Sequence, residues 1–251
     1  MTKTCAVITG SSGGIGSALV RAYLDDDYLV IGLDRHPSGV TYSGKFTEFD
    51  VDLREFSKNE DYRLKILDQI IDALPDKAEE LIVINNAAEQ IIKAVPNIHW
   101  RDWENSFAVN TIAPFFLVQG LMEKLIAARG HVVNISSIHS KLTKEQFTCY
   151  AASKSALDAL TRSLALELSP KGVSVNAIAP AAISTEMLKE GFRDAPHKLK
   201  DLEGYHPSRS IGSPEQLASF VRAITEQKGG FLTGSVIEFT GGIAGSLHDP
   251  S

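Results

Sequence analysis

The chain has 251 residues, a formal net charge of −6 at pH 7 and no long run of basic side chains, which argues against nucleic acid as a partner. No stretch approaches the roughly 20 apolar residues that a membrane span needs, and the N-terminal apolar run is too short for a signal peptide. Cys5 and Cys149 lie far apart, and neither they nor the seven histidines show metal-ligand spacing. These features predict a cytoplasmic globular protein without a membrane partner or a metal site.

Short apolar runs alternate with longer segments of helical spacing, and runs rich in Val, Ile and Leu predict strands buried on both faces. The predicted strands are 5–9, 28–34, 46–51, 81–85, 131–136, 173–178 and 235–239. The predicted helices are 14–26, 57–74, 100–128, 150–169 and 214–226. The pattern predicts an α/β protein with a doubly wound Rossmann fold, in which helices flank a parallel seven-stranded sheet.

Residues 184–210 interrupt this alternation, because they carry many charges and little periodicity. Long excursions in compact domains often form lids or binding loops, although a surface loop is the simpler alternative. We expect one domain over residues 1–251 that binds a dinucleotide and performs catalysis, with 184–210 inserted as a substrate loop.

The first predicted strand leads into a Gly-rich turn and then into a helix. Such a helix N-terminus directs backbone N–H groups at an anion, and glycine lets the backbone approach a pyrophosphate closely. The context predicts a dinucleotide-binding loop. Its cofactor-binding residues are Gly10, Ser12, Gly13, Gly14, Ile15 and Gly16.

An acidic residue, Asp34, ends the second predicted strand. A carboxylate at this position accepts hydrogen bonds from the adenine-ribose hydroxyls and repels a 2′-phosphate. Gly13 offers no basic side chain to offset that repulsion. The sequence therefore favours NAD over NADP, although Arg35 beside Asp34 could pair with a phosphate.

Two further strand ends carry candidate cofactor contacts, because the carboxyl ends of parallel strands face the ligand crevice. The third strand ends in Asp50-Val51-Asp52-Leu53, and either aspartate could meet the adenine amino group; Asp52 with Leu53 is the preferred pair. The fourth strand ends in a motif that places three residues beside the cofactor cleft, namely Asn86, Ala87 and Ala88.

Tyr150 and Lys154 begin a predicted helix, and a spacing of four residues puts them on one face. A nearby ammonium lowers the pKa of a phenol from its usual value of about 10, so the pair can act as general acid and base. Lys154 could also hold the nicotinamide ribose. Ser136 and Ser137 end the fifth strand, where a hydroxyl can hydrogen-bond a substrate carbonyl.

With these motifs the chain resembles a short-chain dehydrogenase/reductase of the single-domain kind over essentially its whole length. The glycine motif matches 9–16, an Asn-Asn-Ala-Gly motif matches 85–88, and Tyr-x-x-x-Lys matches 150–154. The resemblance implies a catalytic tetrad in which Asn110 binds a water through its backbone and Ser137, chosen over Ser136 for its distance to the tyrosine, polarises the carbonyl. Tyr150 is then the acid/base, and Lys154 binds ribose and lowers the tyrosine pKa.

The resemblance also places Pro180, Ile183 and Thr185 on the nicotinamide side, with the backbone of Ile183 reaching the carboxamide. Ala88, Ala181 and Thr240 depart from the family pattern, which more often has Gly, Gly and Asp there. A helical distortion is expected at Asn110, because Pro114 follows four residues later.

Wide apolar arcs on the helices at 100–128 and 150–169, together with the resemblance, imply a homodimer or homotetramer. The residues that carry this expectation are Phe115, Phe116, Leu117, Leu121, Leu157, Leu160, Leu164 and Leu168. Intrachain packing over both faces is the alternative.

The leading functional hypothesis is reversible hydride transfer between NAD and a secondary alcohol or ketone. The charged insertion favours a small polar substrate, such as a sugar, polyol or hydroxy acid, and an apolar carbonyl substrate is the alternative. An epimerase would usually need a larger substrate domain, and a non-catalytic dinucleotide-binding scaffold would not need the tetrad. His139 and Cys149, which flank catalytic positions, are expected to be pocket walls.

Overall fold

The computed structural model describes residues 4–37, 39, 44–193, 196–227 and 229–246. Its strands are β1 (Thr4–Thr9), β2 (Leu29–Asp34), β3 (Phe46–Asp50), β4 (Glu80–Asn85), β5 (His131–Ile135), β6 (Ser174–Pro180) and β7 (Val236–Phe239). Its α-helices are α1 (Gly14–Asp25), α2 (Leu53–Lys58), α3 (Glu60–Ala73), α4 (Trp100–Phe107), α5 (Ala113–Gly120), α6 (Met122–Ala128), α7 (Thr148–Leu168), α8 (Glu186–Gly191), α9 (Pro196–Tyr205) and α10 (Pro214–Thr225). All seven predicted strands are present, with ends shifted by one or two residues.

The strands form one parallel sheet in the order β3-β2-β1-β4-β5-β6-β7. The chain winds from β1 outward to β3 and then returns to the other side of β1 with β4. The carboxyl ends of β1 and β4 therefore border the crevice where parallel α/β sheets bind ligands. The predicted doubly wound fold with a seven-stranded parallel sheet is confirmed.

Helices cover both faces of the sheet, and successive strand residues point to opposite sides. On β1, Cys5 and Val7 join a core cluster with residues of α2, α3, α5, α6 and α7. Ala6 and Ile8 join the other cluster, with residues of α1 and α10. Burial on both faces explains why the strand sequences are almost continuously apolar.

The predicted helix 57–74 is wrong in detail, because the chain forms two helices that meet at Asn59. This residue is extended, with φ −106° and ψ 111°, and its side chain accepts a hydrogen bond from the amide of Tyr62. Asparagine is among the best N-cap residues, so α3 begins afresh there. Asp52 caps α2 in the same way by accepting from the Arg54 amide.

The predicted helix 100–128 is broken into three α-helices. A π-helical turn, Ala108–Ile112, joins α4 to α5 and contains Asn110, so the expected distortion is confirmed. Among the described residues no single helix is long and apolar enough to cross a membrane; Trp100–Gly120 and Met122–Ala128, bent by 62°, meet that test only as a pair.

The 184–210 insertion is more ordered than its weak periodicity indicates, because it contains α8 and α9. The chain enters and leaves it through a narrow base at Ile183 and Gly212, which form an isolated parallel bridge. The Gly212 amide donates to the Ala182 carbonyl at 3.0 Å, and the Ser184 amide donates to the Gly212 carbonyl at 2.8 Å. Residues 194 and 195 of the insertion and the side chains of Met187 and Lys189 lie outside the described part.

Candidate active site

Three of the four predicted catalytic residues lie together behind the carboxyl end of β5. Tyr150 and Lys154 occupy the first two turns of α7, and Ser137 follows β5 in extended backbone. Ser137 lies close enough to the phenol of Tyr150 to lower its pKa. Its hydroxyl oxygen also accepts from the His139 amide at 3.2 Å. The other candidate, Ser136, has a buried hydroxyl without a described partner, so only Ser137 is positioned beside the tyrosine.

Lys154 is 1 % exposed and donates to the Ile135 carbonyl at 2.7 Å. Burial lowers the pKa of Lys154 to about 8, against the opposing charge of Asp158 on the next turn of α7. The ammonium lies 5.8 Å from the centre of the Tyr150 ring. Burial raises the pKa of Tyr150, and only the hydrogen bond with Ser137 opposes this shift. The expected lowering of the tyrosine pKa by Lys154 stays a prediction, and it would have to act against the desolvation of the phenolate.

Asn110 lies in the π-helical turn with its side chain fully engaged and 1 % exposed. Its Oδ1 accepts from the Glu89 amide at 2.7 Å, and its Nδ2 donates to the Glu89 carbonyl at 2.9 Å and to Ser153 Oγ at 2.9 Å. Ser153 Oγ in turn donates to the Tyr150 carbonyl at 2.8 Å. The side chain of Asn110 thus fastens the segment after β4 to the helix that carries Tyr150.

The glycine-rich turn fits closely against the end of β4. Gly10 has φ +68°, and a Cβ there would lie 2.9 Å from Ala87 Cα. A Cβ at Gly16 would lie 1.8 Å from the Gly10 carbonyl oxygen, so no other residue fits. Asn86 secures the turn, since its Nδ2 donates to the Thr9 carbonyl at 2.9 Å and to the Gly10 carbonyl at 3.1 Å.

The start of α1 has the features of a pyrophosphate site. Gly13 is the N-cap and supplies no side-chain hydrogen bond, so the first-turn amides are left to another acceptor. Gly13 and Gly14 are exposed, and a Cβ on Gly14 would lie 3.0 Å from Thr185 Cγ2. Two bare glycines at an uncapped helix N-terminus are compatible with the close approach of a diphosphate.

The predicted adenosine contacts lie at the ends of β2 and β3. Asp34 accepts from the amide of Ser12 at 3.0 Å and from that of His36 at 2.9 Å. Asp52 caps α2, and Leu53 is buried at the start of that helix, whereas Asp50 is exposed at the end of β3. Asp52 therefore stabilises the start of α2, in addition to its predicted contact with adenine.

The predicted nicotinamide-side residues follow β6. Pro180 is its buried last residue, and Ile183 is 7 % exposed at the base of the 184–210 insertion. Thr185 leads into α8 and accepts from the Leu188 amide at 3.2 Å. Ala88 is exposed beyond β4, and Ile15 is half-buried in the first turn of α1. The fold therefore collects the predicted cofactor residues at one edge of the sheet.

Sequence reasoning missed several residues that hold this edge together. Ser153 lies three residues after Tyr150, a spacing that shares its helix face. Arg54 donates to both carboxylate oxygens of Glu89, with a shortest distance of 2.6 Å, and so ties α2 to the segment that binds Asn110. Glu48 accepts from two serines of the glycine-rich turn. A charged residue in the middle of a predicted strand was the available signal for Glu48.

His139 and Cys149 flank the predicted catalytic residues. His139 stacks on Phe147 with ring centres 4.3 Å apart and meets the Tyr150 ring edge-on at 6.0 Å. Burial, followed by the charge of Lys144, lowers the pKa of His139 to about 4. The imidazole is therefore neutral at pH 7 and forms, with Phe147, a wall beside the tyrosine. Cys149 is buried, 1 % exposed, just before Tyr150.

Comparison with known proteins agrees with this geometry. The family model described as short chain dehydrogenase matches residues 4–196. A 3-oxoacyl-[acyl-carrier-protein] reductase FabG of Buchnera aphidicola is 28% identical over 96% of this chain and 97% of its own length. Glucose 1-dehydrogenase 2 of Bacillus subtilis is 27% identical, with 97% and 95% covered.

Solved structures show the same fold. The 4-hydroxyisoleucine dehydrogenase complexed with NADH superposes with a TM-score of 0.86 at 25% identity, covering 97% of this chain and 100% of that one. ElxO with NADP bound gives a TM-score of 0.86 at 23% identity, covering 98% and 100%. The family model covers most of the chain, and the glycine turn and the Tyr-Lys pair lie where the sheet opens its crevice. The chain therefore belongs to the short-chain dehydrogenase family.

Proposed function

We propose that this oxidoreductase is NAD(H)-dependent and interconverts a secondary alcohol and a ketone, with a small polar molecule as its substrate. The observation that carries the reaction is the buried group of Ser137, Tyr150 and Lys154 beside the crevice. The uncapped start of α1 and the carboxylate of Asp34 support the dinucleotide.

The cofactor, when bound, supplies or accepts the hydride. The chain supplies the proton: Tyr150 Oη protonates the carbonyl oxygen in reduction and removes the hydroxyl proton in oxidation. Ser137 Oγ lies beside the same phenol and orients that oxygen by a hydrogen bond.

Lys154 and Asn110 act on the position of the tyrosine. Lys154 is charged at neutral pH and is fixed by the Ile135 carbonyl, from which it can reach a ribose hydroxyl or the phenolate. Asn110 fastens α7 through Ser153. The position of Tyr150 Oη thus depends on four parts of the fold, namely β5, α7, the π-helical turn and the segment after β4.

We predict a preference for NAD over NADP, because a carboxylate at the end of β2, here that of Asp34, can accept hydrogen bonds from the ribose hydroxyls and repel a 2′-phosphate. Losing a charged contact of this kind is worth about 2 kcal/mol, or about thirtyfold in efficiency. Steady-state kcat/KM with both cofactors measures the preference. Asp34→Ser should narrow it, whereas Asp76→Ser, at an exposed position before β4, removes the same charge and should leave it unchanged. Equal efficiency of the wild-type enzyme with both cofactors would contradict the assignment.

The proposal of a polar substrate rests on the residues beside Tyr150 and on two relatives. The neutral His139 meets the tyrosine ring, and the segment 141–146 that follows it is exposed and mostly polar. Glucose 1-dehydrogenase 2 and 4-hydroxyisoleucine dehydrogenase are named for small hydroxylated substrates. The basic residues of the insertion support it less directly, because those with described side chains are exposed, except for the buried His206. The exposed ones are Arg193, His197, Lys198, Lys200 and Arg209. The alternative, an apolar carbonyl substrate, is favoured by Phe147 in the wall and by the similarity to FabG.

A substrate panel separates the two. Sugars, polyols and hydroxy acids are expected to give a higher kcat/KM than steroids and long-chain ketones assayed at equal concentration. The physical reason is that an apolar ligand would strip water from polar wall groups without returning hydrogen bonds. A clear preference for the apolar set would require the insertion to present Leu188 and Phe192 to the substrate.

We further propose that the chain assembles as a homodimer or homotetramer through α5 and α7. Half of the residues expected to make this contact are buried in the chain's own core: Leu117, Leu121, Leu157 and Leu168. The others remain half-buried, and Leu166 on α7 is 79% exposed. Light scattering is expected to return a multiple of 27.2 kDa. Leu166→Glu should weaken the assembly, and Leu64→Glu on α3 is the matched control; a stable wild-type monomer would exclude the proposal.

A further inference from the structure

Glu48, in the middle of β3, is bound to the glycine-rich turn through two serine hydroxyls. Ser11 Oγ donates to Glu48 Oε1 at 2.7 Å, and Ser12 Oγ donates to the same oxygen at 2.8 Å. In the register of the sheet Glu48 lies opposite Gly32 of β2. The carboxylate therefore reaches across a neighbouring strand to the turn that carries the candidate dinucleotide site.

Gly32 makes this reach possible. A Cβ at that position would lie 2.6 Å from Ser11 Oγ and 2.8 Å from Ser11 Cβ. Without a side chain on β2, Ser11 occupies the space above the strand and is 3% exposed there. The contact between Glu48 and the turn thus depends on three segments of the chain: β2, β3 and the glycine-rich turn.

Ser12 binds two different carboxylates. Its amide donates to Asp34 Oδ2 at 3.0 Å, and its hydroxyl donates to Glu48. Because both carboxylates bind Ser12, Glu48 adds a second negative charge beside the carboxylate that would meet the adenine ribose. Two neighbouring carboxylates repel a phosphate dianion more strongly than one does.

The direction of the serine hydrogen bonds matters as much as the charge. A serine hydroxyl has a single proton to donate, and both serines give theirs to Glu48. The Ser12 hydroxyl can therefore only accept a hydrogen bond from a ligand. A ribose hydroxyl can donate to that lone pair, whereas a phosphate dianion has only acceptors.

From this geometry we infer that Glu48 is a second specificity-determining residue, which excludes a 2′-phosphate by its charge and by occupying the hydroxyl protons of Ser11 and Ser12. The inference rests on the proposed preference for NAD and names a residue of β3 that acts on it independently of Asp34. The ligand class selected is a dinucleotide with a free 2′-hydroxyl.

The test is a binding measurement. Dissociation constants for NADH and NADPH are obtained by fluorescence titration of the wild-type enzyme, Glu48→Gln and Glu48→Ala. The ratio of the NADPH constant to the NADH constant is expected to fall about tenfold in Glu48→Gln, which loses the charge. It is expected to fall further in Glu48→Ala, which also frees both serine protons. Glu123→Gln, an exposed position on α6 at the opposite face of the sheet, removes the same charge and should not change the ratio.

Adenosine 2′,5′-bisphosphate and AMP, used as competitors, repeat the comparison without the nicotinamide half. A wild-type enzyme that binds NADPH more tightly than NADH would overturn the proposed cofactor itself. A wild-type preference for NADH with the same ratio in both folded Glu48 variants would overturn only the inference, leaving Asp34 as the selecting residue. If Glu48→Gln fails to give a cooperative thermal transition, Glu48→Ala carries the test.

Discussion

Tyr150→Phe is expected to reduce kcat about a thousandfold while leaving NADH binding nearly intact, because general acid–base catalysis of this kind contributes about 10²- to 10⁴-fold. The phenyl ring keeps the packing against His139 and Phe147 that buries Tyr150. Only the hydroxyl and its interaction with Ser137 are lost, at a cost in stability of about 1 kcal/mol. Steady-state kinetics with the best substrate of the panel and a fluorescence titration with NADH measure the two effects separately.

Lys154→Ala is the informative comparison for that variant. Lys154 is expected to contribute to ribose binding as well as to the proton step, so its removal should weaken NADH binding and lower kcat together. Thermal unfolding of both variants controls for damage to the core. Near-wild-type turnover by a folded Tyr150→Phe enzyme would show that another group moves the proton.

The second large effect is expected at Gly16, where alanine should destabilise the fold and disrupt the cofactor site together. The added Cβ would meet the Gly10 carbonyl oxygen at 1.8 Å, and that oxygen belongs to the backbone, so no rotamer change relieves the clash. Overpacking of a buried site usually costs about 1–3 kcal/mol, and a backbone collision belongs at or above the upper end.

Gly13→Ala provides a matched control for stability. Gly13 has φ −71°, and its Cβ would lie 3.4 Å from the same Gly10 oxygen, an ordinary contact. Thermal or urea unfolding should therefore separate the two alanine variants by at least about 1 kcal/mol. Equal midpoints for Gly13→Ala and Gly16→Ala would mean that the turn adjusts by moving Gly10.

The sequence was sufficient to predict the sheet, because strands that are buried on both faces have continuous apolar sequences bounded by polar turns. The helices were harder, since the signals that divide them are single residues. Asn59 ends one helix by capping the next, and the π-helical turn at Asn110 leaves the apolar pattern of α4 and α5 intact. Periodicity over a long window averages across such breaks.

The residues of the candidate site also differ in how far the sequence alone predicts them. Groups that act through their type and spacing, such as Tyr150 with Lys154, are recognisable in the sequence alone. Groups that act through a distant partner are not: Glu48 is 36 residues from Ser12, and Glu89 is 35 residues from Arg54. The pKa of Tyr150 also depends on burial, which the spacing of four residues does not reveal. Predicting these features requires the register of β2 with β3 and the depth of α7 in the fold.

The closed base of the 184–210 insertion has a consequence for how this enzyme can change. The backbone bonds at Ala182, Ser184 and Gly212 fix the two ends of the segment beside each other. Because closing a loop whose ends are already joined costs only slightly more entropy as it lengthens, residues between them can be replaced or extended without loosening the sheet. The predicted proton-transfer residue Tyr150 lies on α7, and the predicted dinucleotide contacts lie outside the segment except for Thr185. Evolution or engineering can therefore exchange the insertion beyond Thr185, which we expect to alter substrate access to Tyr150 while the predicted cofactor contacts and Tyr150 are kept.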